Sequence, residues 1–111
     1  MTQVAVIHTA FEDSPRTVAF VDVPELPSTN EMLEYAYRWT NNVMGSWSIK
    51  EEFFEGGEKN GDYNPNVTVM APLHTDGSGK EWGHRSTSMG DQMLIGNKKY
   101  KVAFAGFEEI V

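Results

Sequence analysis

Ser28-Thr29-Asn30-Glu31-Met32-Leu33-Glu34-Tyr35-Ala36-Tyr37-Arg38-Trp39-Thr40-Asn41-Asn42-Val43 is the stretch on which the fold class turns. Met32, Leu33, Ala36, Trp39 and Val43 return at steps of three and four, which places them on one face of a helix. Ser28 stands three before Glu31, the spacing at which a hydroxyl and a carboxylate each satisfy a free N–H of the first turn. Asn41-Asn42 and Gly45 break the run, so the pattern predicts a helix over about Thr29 to Asn42. Glu34 and Arg38 form an exposed pair on another face, and the aromatics Tyr35, Tyr37 and Trp39 read as packing groups.

Everything around this helix reads as strand and turn. Val4-Ala5-Val6-Ile7-His8-Thr9 and Thr17-Val18-Ala19-Phe20-Val21-Asp22-Val23 are rich in β-branched residues, and Glu12-Asp13-Ser14-Pro15 breaks them into a hairpin. Pro24 and Pro27 stop the second strand. Ser46-Trp47-Ser48-Ile49 reads as a short extended piece and Val67-Thr68-Val69-Met70-Ala71 as a strand. Asp76-Gly77-Ser78-Gly79 turns the chain back through Glu81-Trp82. Gln92 to Ile95, Gly96-Asn97 and Lys98 to Phe104 form a second hairpin, with Tyr100, Val102 and Phe104 on one face. Strands on both sides of one amphipathic helix predict a single α+β domain over residues 1–111, the helix covering one face of an antiparallel sheet built of hairpins.

The composition agrees. The chain has 111 residues, 40% of them hydrophobic, enough for a core in one domain. It has no cysteine, hence no disulfide, thiolate metal site or cysteine nucleophile. The net charge of −7 argues against unaided binding to nucleic acid or to an anionic membrane. No apolar run is long enough for a membrane span, and a cytoplasmic location is expected. The excess acid lies between Met1 and Asp62, with 11 acids against 4 bases. Glu51, Glu52, Glu55, Glu58 and Asp62 crowd one part of it, a mobile acidic loop over about 51–65 and a candidate face for a basic partner.

His84-Arg85-Ser86-Thr87-Ser88-Met89-Gly90-Asp91 is the most distinctive stretch. Arg85, Ser86, Ser88 and Asp91 read first as a self-satisfied polar turn, ordered by Ser88 and Asp91 at capping spacing and held by Arg85. They read second as an anion site, in which Arg85 and the hydroxyls grip a phosphate or carboxylate. The P-loop pattern is absent, and so is the Gly-x-Ser-x-Gly elbow that a Ser-His-Asp reading with His74 or His84 would need. His8, His74 and His84 lack ligand spacing, and Asp62, Asn64 and Asn66 lack the rest of a calcium loop. No catalytic residue, metal or cofactor is expected.

Arg85-Ser-Thr-Ser-Met-Gly-Asp91, followed by a hairpin and by Gly106-Phe107, resembles the C-terminal motif of YodL-like small domains of phages and other mobile elements. Leu33 to Asn42 stands where that family carries a helix ending in asparagine. His84 replaces the family's glycine, and Gly90 replaces the residue before the aspartate. The resemblance implies a small non-enzymatic accessory protein of a phage or plasmid that binds and modulates a host protein of defence or transcription, for example a basic nucleic-acid-binding one. Two other readings are a small-anion or nucleotide-binding module using residues 85–91, and a minor structural protein of the virion.

Overall fold

A computed structural model describes residues 1–110. Strands β1 (Thr2–His8) and β2 (Arg16–Val23) form the first hairpin, and helix α1 (Thr29–Trp39) follows. Then come β3 (Val67–Val69), β4 (His74–Thr75), β5 (Glu81–Trp82), β6 (Gln92–Ile95), β7 (Lys98–Ala103) and β8 (Gly106–Ile110). Six of them make one antiparallel sheet in the order β3-β2-β1-β6-β7-β8, while β4 and β5 pair apart as a small arm. The fold is α+β, one short helix lying against a six-stranded sheet.

Alternation decides which face the helix covers. Val4 and Val6 of β1 sit opposite Val21 and Ala19 of β2 and opposite Ile95 and Met93 of β6. These join Leu33 and Ala36 of the helix in one buried cluster. The register of β1 on β2 slips between Val6 and Ile7, which brings both Val18 and Ala19 into the core. The Gly96-Asn97 turn closes the β6–β7 hairpin with Gly96 at φ +59°, the conformation glycine supplies most cheaply.

Five local expectations need correction. The helix stops at Trp39, not Asn42. Thr40 Oγ1 and Asn41 Nδ2 donate to the carbonyls of Ala36 and Tyr37, filling acceptors that a longer helix would have used. Val43 is therefore off the helix and 64% exposed. Trp39 is only half-buried, and the large core indole is Trp47, 1% exposed, in a turn and not an extended piece. Arg38 does not pair with Glu34 but reaches Asp62 at 3.3 Å and the carbonyl of Gly61. Phe104 is 91% exposed in the β7–β8 turn, because β7 ends at Ala103 and the chain returns as β8.

Candidate functional site

Two arrangements deserve description, the 84–91 stretch and the acidic segment before Asp62. The first is held by position. The residues from His84 to Ser88 run without regular structure between the helix C-terminus and the sheet, so their backbone groups need partners outside any ladder. Thr87 N–H donates to the carbonyl of Thr40, and Asn42 N–H donates to Ser86 Oγ. Trp47 Nε1 donates to the carbonyl of Arg85. Gly90, at φ +97°, bends the chain from Ser88 to Asp91, and its N–H donates to Val102 of β7. A Cβ there would also stand 3.2 Å from that of Ala10.

Arg85 spends all its donors inside the protein. Its Nη1 and Nη2 grip the two Asp91 oxygens at 2.7 and 2.8 Å. Nε and Nη2 grip the two Glu12 oxygens at 3.1 and 2.8 Å, and Nη1 also reaches the carbonyl of Ser86. Five N–H groups meet five acceptors. The Phe11 ring covers the guanidinium at 4.8 Å. Asp91, fully buried, also accepts from the backbone N–H of Thr9, Ala10 and Ser88. Burial alone would raise its pKa; the Arg85 fork and those N–H donors outweigh this and hold it well below the usual carboxylate range. The hydrogen bond from Arg85 likewise lowers Glu12.

Beside this cluster runs a buried polar chain. Thr40 Oγ1 donates to the carbonyl of Ala36, an acceptor only, so Thr87 Oγ1 must donate to Thr40 and His8 Nε2 must donate to Thr87 at 2.9 Å. His8 thus carries a proton on Nε2, and its lowered pKa leaves the other ring nitrogen unprotonated at neutral pH. It is 2% exposed, and burial takes its pKa down to about 4 against the pull of Asp91, 4.0 Å away. Neither serine of the motif is poised for attack: Ser86 Oγ accepts from Asn42, and Ser88 Oγ donates to the carbonyl of Ser86. His84 lies over Trp47, centroids 5.7 Å apart, with Nε2 against the carbonyls of Met70 and Ala71.

The acidic segment is more ordered than a mobile loop. Phe53 bridges Lys59, Phe54 N–H donates to Glu58, and Asn60, 1% exposed, accepts and donates through both ends of its side chain to close a small hairpin. The Phe54 ring packs on Gly45, where a Cβ would come within 2.9 Å of it. Glu51, Glu52, Glu55 and Glu58 project from this hairpin into solvent, as does Phe53, 55% exposed. Asp62 does not belong with them. It is 1% exposed, and its carboxylate caps the N–H groups of Val43, Met44 and Gly45 at 2.6–2.9 Å. Burial pushes its pKa up, and those three donors with Arg38 bring it below the usual value.

The sequence brought Arg85 and Asp91 into view but missed Glu12, His8, Thr40 and Thr87. A threonine just after the helix and a histidine inside an apolar strand were the only signs of Thr40 and His8, and nothing in the sequence marked Thr87 as buried. Among the described residues, no three His, Asp or Glu side chains gather as a metal site, and no helix is long and apolar enough to cross a membrane. Comparison with family models, curated proteins and solved structures finds no match.

Proposed function

We propose that this protein is a non-enzymatic binding protein that docks its 51–59 hairpin on a basic surface of a partner protein. The observation that carries the reading is the exposed Phe53 ring among four exposed carboxylates, on a hairpin already ordered by Asn60 and Phe54. Such a tip joins an apolar anchor to charges that steer a basic partner, at little ordering cost. The resemblance of residues 85–91 to YodL-like domains extends the proposal to an accessory protein of a mobile element acting on a host protein. The anion-site alternative is disfavoured by Arg85, since a phosphate could be held only by displacing Glu12 or Asp91.

The test is capture from host lysate with the wild type and with Phe53→Ala combined with Glu51, Glu52, Glu55 and Glu58→Gln. One host protein should be retained by the wild type, released as salt rises, and lost with the variant at unchanged melting temperature. Retention of the same partner by the variant would sink the proposal.

A further inference from the structure

α1 covers one face of the six-stranded sheet, and among the described residues no other element packs on the opposite face. Water-facing sides of antiparallel sheets are normally polar. The centre of this one is apolar. Phe20 of β2, Ala5 of β1 and Leu94 of β6 stand side by side across three strands, and Ile7 follows Ala5 on the same side of β1. A hollow of about 500 Å³ opens over them, lined by Phe20, Ala5 and Leu94 with Thr2 and Gln3 toward the start of β1.

Charge is sorted to the two flanks. Asp22 lies on the β2 side, next after Phe20 on this face. Lys99 lies on the β7 side, opposite Leu94. Neither forms an ion pair among the described residues, whereas the neighbouring Lys101 already meets Glu108. The face thus carries a free acid on one side, a free base on the other and an apolar centre between them.

We infer that this face packs on the same face of a second copy, about a two-fold axis running along the strands between β1 and β6. That axis lays β1 on β6 of the second copy and β2 on β7. Small Ala5 then meets large Leu94 of the second copy, and Phe20 meets the stem of its Lys99. Packed sheets lie about 10 Å apart, a gap that Asp22 and the ammonium of that lysine close together. A two-fold axis across the strands fails, because it stacks β7 on β7 with lysine over lysine. Six strands about 4.8 Å apart and about 18 Å long offer roughly 500 Å² per copy, the low end for a specific interface. A dimer with a Kd on the order of micromolar is expected. Asp62 and Phe54 tie the acidic hairpin to the turn after α1, away from this face, so the inference is independent of what the hairpin binds.

The test is sedimentation equilibrium of the full chain from about 1 μM to about 1 mM, where the mass should rise from one chain to two. Asp22→Lys and Lys99→Glu each set like charges together at two symmetric places, and each should raise the Kd about tenfold or more. The double variant restores opposite charges and should return the Kd to near the wild-type value. In the wild type, amide shifts on dilution should be largest around Ala5, Phe20 and Leu94. A monomer at every concentration, a dimer indifferent to the single swaps, or a double variant no tighter than the singles would each overturn the inference. So would dilution shifts confined to residues 106–110, which mark pairing through the open edge of β8.

Discussion

Arg85 is a case in which one side chain closes several accounts at once. It neutralises Asp91, which is fully buried, and ties it to Glu12 in the β1–β2 turn. Arg85→Ala leaves the Asp91 carboxylate buried without its cation, a loss of about 3–5 kcal/mol for such a pair. Arg85→Lys should recover little, because a point charge cannot serve two carboxylates in one plane. Denaturant unfolding of the unliganded protein checks this. An unchanged midpoint in Arg85→Ala would reopen the anion site. The sequence showed that Arg85 and Asp91 lay at a spacing for mutual satisfaction. Glu12, 73 residues away from Arg85, carried no sign of its role, since its partnership exists only after β1 and β6 have paired.

Elements were legible where period and punctuation agreed. The Ser28 cap is observed, with its hydroxyl accepting from Glu31 N–H, and both long hairpins have the expected turns. Legibility failed where side chains compete with the backbone. Thr40 and Asn41 end the helix a turn before its apolar period does, and so detach Val43. β8 was missed because Phe107-Glu108-Glu109-Ile110 does not alternate as a half-buried strand does. The acidic segment shows the same limit: composition marks five acids alike, whereas packing separates Asp62 from the other four. Asp62→Ala should cost about 3 kcal/mol or more, since it strands three backbone donors and frees Arg38. Glu55→Gln should leave thermal melting where it was. Equal effects of the two substitutions would show that Asp62 caps nothing.

For the molecule as a whole, the buried His8 and the buried carboxylates Asp62 and Asp91 predict a stepped response to acid. His8 has a lower pKa folded than unfolded, so between about 6.5 and about 4 the unfolded chain binds the extra proton. Its contribution is complete above that window and is lost as pH falls through it. Asp91 and Asp62, whose pKa values are depressed, hold their contributions until the pH drops below the ordinary carboxylate value. Urea midpoints from pH 7 to 5 should therefore decline, and His8→Gln should flatten the decline over that range. An unsloped wild type would mean that His8 is already charged or reached by water. The same central strand also governs when the protein can form. β1 lies in the middle of the sheet, and its second neighbour, β6, begins at Gln92, paired with Ile7. At the usual pace of synthesis, roughly 5–20 residues per second, one side of β1 stays open for seconds after the first hairpin leaves the ribosome. The early hairpin is thus a waiting template whose vacant flank must be shielded from rival strands, and crowded expression at high temperature is where yield should be lost first.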